Sequence, residues 1–295
     1  MQRNNMHGVI GVAALSADER AAAEHLLAVC RRYDGSDFPL SLEAAEAGPM
    51  PGVAPPLDQF LAYEHGTLIG LMRVERSAEP ELYGVVHPDY RRRGVGRALL
   101  DAARSECRRH GAALLLLVCD EMLESGKAFA AAVGAAFRYA EYRMLLDPAA
   151  IDRSQPRHAN LRLQPATDAD AETLSRIQAA AFGDAEDEVR TQVSHGLTLA
   201  NRQYYLGLLD GQPIGSLRLG RYCDEADVTA FGVLPQHQGR GYGRHMLLEA
   251  LDILLAERWP QIAIDVVTEN RNALKLYQSC GFREATTYGY YELGA

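Results

Sequence analysis

Two glycine-containing loops with the composition of a phosphate-binding turn lie 147 positions apart in this chain of 295 residues. The first spans residues 86–97 and the second spans residues 233–244. Each loop follows a β-like run and precedes a helix-like run. Glycine allows backbone N–H groups to approach a bound group closely, and the start of a helix adds the positive end of its dipole. The pattern predicts that at least one loop binds a phosphorylated cofactor.

Neither loop has the spacing of the common nucleotide-binding motifs. No Gly-Lys-Ser/Thr sequence occurs in either loop, which excludes the nucleoside triphosphate loop. Neither loop has the third glycine of the dinucleotide fingerprint at the required spacing. Because a lone Gly-x-Gly also fits an ordinary tight turn, the assignment depends on the residues that follow it.

A helix-like segment downstream of the second loop carries polar and aromatic side chains at a fixed spacing. Asn270 and Tyr277 are seven positions apart, which is two helical turns, so both can face the same way. Together with Gln238-x-x-Gly241-x-Gly243, this segment resembles the GNAT family of acyl-CoA-dependent N-acyltransferases.

The resemblance covers most of residues 161–295 and, in weaker form, about residues 60–147. It implies an α/β fold of the mixed α+β kind. We expect two tandem GNAT domains, each a splayed mixed central sheet flanked by helices. The hairpin that precedes each loop also repeats, which supports a duplication. The expected boundaries are an N-terminal domain at 1–147, a linker at 148–160 and a C-terminal domain at 161–295.

The family resemblance implies a cofactor role for the second loop and its surroundings. The backbone N–H groups of the loop would bind the diphosphate of CoA. The end of the preceding strand would pair with the pantetheine arm and direct an N–H at the thioester oxygen, where negative charge develops. Asn270 would hold the pantetheine or a water. The implied cofactor-binding residues are Phe231, Gly232, Val233, Gln238, Gly239, Arg240, Gly241, Tyr242, Gly243, Arg244 and Asn270.

The hydroxyl of Tyr277 is implied to protonate the departing thiolate. A phenol of pKa ~10 gives its proton to a thiolate of pKa ~8.5 only where local geometry favours the transfer. The residues also allow other interpretations, with Tyr277 as an amphipathic core aromatic and Asn270 as a helix N-cap.

An amine acceptor must lose a proton, because an alkyl amine of pKa ~10.4 is mostly protonated at neutral pH. Asp227 is the candidate base. Strict alternation would place it on the strand face that also carries Thr229, Phe231 and Val233. Glu225 is the reserve candidate, and both acids also fit a solvated strand start. A relayed water, or no dedicated base, stays open.

The first loop has the glycines and arginines needed to hold phosphates. The helix that follows it later in the chain lacks the asparagine and tyrosine of the second domain. Aligning the glycines that end the two later helices places Ala130 at the position of Tyr277 and Leu123 at that of Asn270. A shift of one residue brings in Phe129, which also lacks a hydroxyl. We therefore predict a catalytically silent first domain that either binds acyl-CoA or only packs against the second; another proton donor is the alternative. The possible second site comprises Val86, Arg91, Arg92, Arg93, Gly94, Val95, Gly96 and Arg97.

The composition argues against several classes of protein. A net charge of −9 disfavours non-specific nucleic-acid binding and suits a cationic small-molecule partner. The five cysteines have no spacing of a metal knuckle or redox pair, and the histidines form no cluster with ligand spacing, so we predict no metal. No stretch approaches the ~18 apolar residues of a membrane span. We expect a cytoplasmic protein without a membrane partner.

The leading prediction is an acetyl-CoA-dependent N-acetyltransferase that acts on a small primary amine by direct transfer in a ternary complex, with the chemistry in the C-terminal domain. No cysteine lies in either loop or the strand before it, which disfavours an acyl-cysteine intermediate.

Tandem chains of this size resemble the mycothiol synthase type, which implies acetylation of an aminoacyl-sugar as a specific alternative. A non-catalytic acyl-CoA-binding sensor is a second alternative. Protein acetylation is a third, and it depends on whether the loop at 34–57 leaves a groove open. Monomer and homodimer both stay possible.

Overall fold

A computed structural model describes residues 7–36, 38, 40, 42, 56–77, 79–154, 157–222 and 224–295 of the chain. Most of the loop expected at 34–57 lies outside the described residues. Residue contacts divide the chain into two compact units. The first unit contains residues 1–140 and 287–295, and the second contains residues 141–286. The last nine residues therefore belong to the first unit, whereas the boundaries expected from the sequence assign them to the second domain.

The first unit is a mixed sheet with helices. Its strands are β1 (Gly8–Val12), β2 (Gln59–Glu64), β3 (Thr67–Glu75), β4 (Glu81–Val86), β5 (Leu114–Asp120) and the parts of β6 (Ala136–Leu146) and β12 (Phe282–Gly294) that fall within it. The described helices are α1 (Ala17–Asp34), α2 (Val95–Arg109) and α3 (Glu124–Val133). Neighbouring strands run in the order β1-β2-β3-β4-β5-β12, and all pairs are antiparallel except β4 with β5.

Local signals determine where α1 begins and ends. Ser16 and Glu19 form a reciprocal capping box at its start, and Gly35 ends it in the left-handed conformation with φ 69°. The face carrying Ala23, Leu26 and Cys30 is buried against the sheet. These positions recur at helical spacing, so the sequence period and the buried face agree.

The C-terminal strand completes the sheet of the first unit. Residues 288–294 pair antiparallel with β5, from Tyr288 opposite Asp120 to Gly294 opposite Leu114. Tyr290 is buried, and its ring stacks on Tyr139 with centroids 4.5 Å apart. Without this segment, the backbone groups of that edge of β5 would lose their hydrogen-bonding partners.

The second unit repeats the plan. Its strands are the second half of β6, β7 (Leu161–Pro165), β8 (Arg202–Leu209), β9 (Gln212–Tyr222), β10 (Glu225–Val233), β11 (Gln261–Val267) and the first part of β12. The described helices are α4 (Ala171–Phe182), α5 (Glu186–Leu197), α6 (Tyr242–Ala256) and α7 (Arg271–Ser279). The order β6-β11-β10-β9-β8-β7 is antiparallel except for β10 with β11.

The parallel pair at the centre of each unit stays together over only a few residues. In the second unit, residues 225–227 of β10 pair with residues 261–263 of β11. In the first unit, residues 81–82 of β4 pair with residues 116–117 of β5. Beyond these positions the two strands are no longer hydrogen-bonded to each other, although both continue. The splayed mixed sheet predicted for each domain is confirmed.

Apolar packing places α6 beside this opening. Leu247, Leu248, Leu251 and Leu254 are each at most 2% exposed and pack in one core with Val228 of β10 and strand β11. Burying a leucine side chain contributes about 1.5–3 kcal/mol. The leucine stripe therefore holds the start of α6, and with it the second glycine loop, at the end of β10. Among the described residues, no helix is long and apolar enough to cross a bilayer.

We expect Tyr290→Ala to lower the free energy of unfolding of the first unit by about 3–5 kcal/mol, the usual cost of deleting a buried aromatic ring. The chain has a single tryptophan, Trp259, which lies in the second unit. Its fluorescence therefore reports the second unit, while far-ultraviolet circular dichroism reports both. In urea, the dichroism transition should move and the fluorescence transition should stay. Tyr33→Ala, at a side chain 70% exposed, is the control and should cost less than about 1 kcal/mol. Equal shifts of the two signals would contradict the assignment of Tyr290 to the first unit.

Candidate active site

The second glycine loop ends at a helix whose first turn is open to an anion. Gly239 and Gly241 are both left-handed, with φ 71° and 79°, and α6 begins directly after Gly241. No side chain caps α6, and its first turn carries no acid. The first N–H groups of an α-helix have no partner within the helix. Those of α6 are thus positioned to receive a negatively charged group.

A side chain braces this loop from inside. The Gln238 amide donates to the carbonyl of Val233 at 2.8 Å. In the first unit the equivalent Arg91 does the same, donating from Nε to the carbonyl of Val86 at 3.0 Å. Its two terminal nitrogens bind both oxygens of Asp34 at 2.7 and 2.6 Å. Gln238 and Arg91 are both predicted from the sequence to contact the cofactor. In the structure each of them supports the turn of its own loop.

A β-bulge interrupts β10 just before the loop. Thr229 lies opposite Arg218 and Gly232 lies opposite Ser216, so β10 carries one extra residue here, and Ala230 adopts φ 48°. The bulge reverses the alternation of side chains. The expectation that Val233 shares a face with Asp227 is therefore wrong, and Val233 packs in the core beneath α6.

The bulged end of β10 lies close to α4. A Cβ added at Gly232 would come within 2.6 Å of Cβ of Ala181. Only glycine therefore allows this approach of helix and strand without a shift of one of them. On its other edge, β10 has no pairing with β11 beyond Asp227, so the backbone from 228 to 233 presents an edge of the kind that an extended ligand can pair with.

Tyr277 of α7 lies between aromatic rings at the opening. It is 7% exposed, and its ring centroid lies 6.2 Å from that of Phe231 and 6.3 Å from that of Phe282. Burial raises the pKa of the phenol well above its usual range, and the negative charge of Asp265 adds to the shift. The phenol is therefore protonated at neutral pH. This packing suits both of the interpretations predicted for Tyr277, a proton donor and a core aromatic.

Asn270 caps α7. Its side-chain oxygen accepts a hydrogen bond from the backbone N–H of Ala273 at 3.1 Å. The N-cap interpretation of Asn270 is thus observed directly. The cap occupies the side-chain oxygen, which leaves the amide nitrogen as the group with which Asn270 would contact a cofactor.

Asp227 is held in place by the neighbouring strand. Its Oδ1 accepts the backbone N–H of Gly220 at 3.0 Å. Burial raises the pKa of the carboxyl above its usual range, while Arg218 and the Gly220 N–H oppose the shift. Glu225, the reserve candidate, forms an ion pair with Arg143 and accepts a hydrogen bond from Gln261 at 2.7 Å. Glu225 is thus held by side chains from β6 and β11.

Asp265 is a residue that sequence reasoning missed. It lies on β11, two residues beyond Ala263, which is the partner of Asp227 across the parallel pair. Paired residues share a face, so Asp227, Ala263 and Asp265 emerge on the same side of the sheet. Arg143 of β6 lies opposite Asp265 and contacts its carboxylate at 3.3 Å. The available signal was a single acid within the otherwise apolar run of β11.

Packing between α2 and α3 identifies the residue of the first unit that corresponds to Tyr277. A Cβ added at Gly96 would lie 3.2 Å from the ring of Phe129, and one added at Gly243 would lie 3.5 Å from Leu276. Both pairs are related by the same offset of 147. The unshifted alignment is supported, and it places the fully buried Ala130 at the position of Tyr277.

In the first unit, the sheet face that corresponds to the face carrying Asp227 is covered by side chains of the first unit itself. By strand register, Glu81 corresponds to Asp227, and its carboxylate accepts the hydroxyl of Tyr83 at 2.6 Å. β3 and β4 pair without a bulge. Leu116, Val118, Tyr288 and Tyr290 form a buried cluster here with Phe38 and Tyr83.

A cavity of about 850 Å³ lies in the first unit beside its glycine loop. Side chains from the strands and helices around the opening line it, mostly with apolar surface: Met72, Val86, Leu99, Leu117, Cys119 and Phe129. Burial raises the pKa of the Cys119 thiol to about 12, so this thiol is neutral. Ser36 donates to Asp120 at the rim and ties the segment after α1 to the end of β5. The described residues contain no group of three or more His, Cys, Asp or Glu arranged to hold a metal.

Comparisons with known proteins agree with this geometry. Residues 171–282 match the model described as the Acetyltransferase (GNAT) family, and residues 56–136 match an Acetyltransferase (GNAT) domain. A mycothiol acetyltransferase of Clavibacter michiganensis is 32% identical over 217 residues, which cover 68% of each chain. One of Frankia casuarinae is 28% identical and covers 88% of this chain and 81% of the relative. A solved tandem GNAT protein from the clavulanic acid biosynthesis pathway has a TM-score of 0.71 at 20% identity, covering 97% of this chain and 98% of that one. At that identity the likeness shows the fold.

We expect Asn270→Ala to lower the free energy of unfolding of the second unit by about 1 kcal/mol, because the N-cap of α7 is lost. Trp259 fluorescence in urea measures the change. Asn270→Asp keeps a capping oxygen and should cost little. If CoA affinity also falls in both variants, the amide nitrogen contacts the cofactor, whereas loss in the alanine variant alone assigns the effect to the cap. Unchanged stability of Asn270→Ala would contradict the capping role.

Proposed function

Because the chain belongs to the GNAT family of N-acetyltransferases, we propose that its second unit transfers the acetyl group of acetyl-CoA directly to a small primary amine in a ternary complex. The observation that carries this proposal is the parting of β10 and β11 directly after Asp227, with Asp265 of β11 acting electrostatically on both Asp227 and Tyr277. One group suits the removal of a proton from the amine, and the other suits the return of a proton to the sulfur.

The second glycine loop would hold the diphosphate of the cosubstrate. No side chain caps the N–H groups after Gly241 at the start of α6, and such N–H groups can bind a phosphate without any side-chain cation. The unpaired edge of β10 would receive the pantetheine arm by backbone hydrogen bonds. The bulge at residues 229–232 frees an N–H to stabilise the charge that develops on the thioester oxygen.

Asp227 would act as the base. The acceptor arrives as an ammonium, and a carboxylate must take one proton before the nitrogen lone pair can attack the thioester carbon. The carboxyl pKa raised by burial brings this group closer to neutral pH, where a base is most effective. The C–N bond forms, the nitrogen loses its second proton, the C–S bond breaks, and the thiolate leaves. The first proton passes from Asp227 to solvent, and the second restores the phenol that protonates the thiolate.

Tyr277 would return a proton to that thiolate. With its pKa above ~10, the phenol is a weaker acid than a free thiol of pKa ~8.5, and each unit of difference costs about 1.4 kcal/mol. A thiolate formed in the same buried site is also destabilised by loss of solvent, which raises its own pKa. Burial around Phe231 and Phe282 therefore reduces the gap that the proton transfer must overcome.

The first unit would not catalyse the reaction. Ala130 provides no hydroxyl, Glu81 is bound by Tyr83, and the acceptor face is filled by the aromatic cluster around Tyr288 and Tyr290. Its glycine loop and the 850 Å³ cavity beside it support binding of the same cosubstrate without turnover.

The curated relatives favour a specific form of this activity. Several of them are named mycothiol acetyltransferase, so the amine of an aminoacyl-sugar is the second candidate acceptor. The polar row of Asp227, Asp265, Glu225 and Arg143 offers both acceptors and donors to a hydroxylated substrate. A panel of simple amines and aminoacyl-sugars, scored by acetylated product in mass spectrometry, separates the two candidates.

We expect Tyr277→Phe to lower kcat by about 10²–10⁴-fold while the KM for acetyl-CoA is retained, because the variant removes a proton donor and keeps the ring packing. Thiol release from acetyl-CoA in the presence of acceptor measures the rate. Tyr205→Phe, at another buried tyrosine of the same unit, is the matched control and should retain activity. A Tyr277→Phe enzyme with unchanged kcat across pH would remove the proton-donor role.

A matched pair of loop variants tests which unit carries the chemistry. Gly94 and Gly241 occupy the same left-handed N-cap position in the two units, and aspartate is among the residues that tolerate this conformation. We expect Gly241→Asp to abolish turnover, because its carboxylate would repel the diphosphate. Gly94→Asp should leave kcat unchanged and remove one bound CoA in calorimetry. The reverse pattern of activity would place the catalysis in the first unit.

A further inference from the structure

Gly220 of β9 lies directly opposite Asp227 of β10 in the antiparallel pair. The two residues form more than a normal cross-strand pair, because the carboxylate of Asp227 bends back and accepts the N–H of its own partner at 3.0 Å. A Cβ added at Gly220 would overlap Oδ1 of Asp227. The carboxylate therefore occupies the space that the side chain of residue 220 would normally take.

We infer that Gly220 is a positioning residue for the base: its missing side chain and its N–H together hold the Asp227 carboxylate against the sheet at the point where β10 and β11 separate. The inference rests on the proposed function, in which Asp227 accepts the proton of the amine. Only glycine, which has no side chain, leaves this space free for the carboxylate.

The backbone at residue 220 does not itself require glycine. Gly220 is absent from the residues with positive φ, so alanine could adopt its conformation in the strand. The cost of a side chain would come only from its neighbours. Besides Asp227, the added Cβ would lie 2.7 Å from Cε2 of Tyr222, and this second contact has to be separated from the first by experiment.

Several charged and titratable groups share this face of the sheet and act on Asp227. They come from β8, β9, β10 and β11 and comprise Arg202, Arg218, Tyr222, Glu225 and Asp265. Arg218 and the Gly220 N–H favour the ionised carboxylate, whereas burial and Glu225 favour the protonated form. When the N–H bond is lost, a favourable interaction of the ionised form disappears and the pKa of Asp227 rises.

The first experiment measures stability and does not depend on activity. Gly220→Ala should lower the unfolding temperature of the second unit, followed by Trp259 fluorescence, and the loss should vanish in an Asp227→Ala background because the overlap is relieved. In a Tyr222→Ala background the loss should persist. If the loss instead persists with Asp227→Ala and vanishes with Tyr222→Ala, the glycine serves the tyrosine ring and the inference is overturned.

The second experiment uses the acetyl-transfer reaction. Gly220→Ala should lower kcat/KM by about 10²-fold, the effect of displacing a catalytic group by about 1 Å. The same substitution in an Asp227→Asn background should cause no further loss, whereas a merely structural role would lower both enzymes equally. The acid limb of the kcat/KM profile should move to higher pH in Gly220→Ala, since a base of higher pKa stays protonated to higher pH. A limb that stays or moves to lower pH would overturn the inference.

The two experiments distinguish the failure of the inference from failure of the proposed function. If no amine is acetylated by the unmodified protein, the proposed function fails, while the stability coupling between Gly220 and Asp227 still reports whether the carboxylate is held. If acetylation occurs and the stability losses of Gly220→Ala and Asp227→Ala simply add, Gly220 does not position the base.

Discussion

The separation of β10 from β11 after three paired residues is the constraint on which the candidate site depends. Two parallel strands that stop pairing leave backbone N–H and C=O groups that must find other partners. The leucines of α6 and the close contact of Gly232 with Ala181 hold one of these strands in place from both sides. The opening is thus maintained by packing on the helices, and its polar edges are available to an extended ligand.

The first unit has the same opening between its two central strands, but residues of a different chemical type surround it. β4 lacks the bulge, Val118 stands where the second unit has Asp265, and Ala130 stands where it has Tyr277. A buried charge is costly unless it is paired, whereas apolar side chains of similar size pack without that cost. In the second unit Arg143 pairs with Glu225 and Asp265, and Arg218 favours the ionised form of Asp227.

The end of the chain has a structural consequence for the first unit. Residues 288–294 pair with residues 114–120, so this pairing joins positions separated by the whole second unit. Contacts of such long range close a large loop and form slowly. Because synthesis proceeds from the N-terminus, the first unit cannot complete its sheet until residues 288–294 have been made. The tyrosines of this strand also supply much of the cluster that fills the acceptor face of that unit.

The sequence by itself determined the features that depend on local spacing. The two glycine loops, the helices that follow them and the loss of the phenol at Ala130 follow from hydrophobic period, turn residues and the offset between the two repeats. The splayed sheet of each unit was implied by the resemblance to the GNAT family. The tertiary structure decided the rest. The bulge that turns Val233 into the core and the fit of Asp227 over Gly220 depend on the register of the β9–β10 hairpin. The placement of Asp265 beside Asp227 depends on the pairing of β10 with β11, which lie on either side of α6 in the chain. The bracing roles of Arg91 and Gln238 depend on how each side chain turns back onto its own loop. A shift of one residue in strand register moves every following side chain to the opposite face, and the regular alternation read from the sequence does not reveal the bulge that produces this shift.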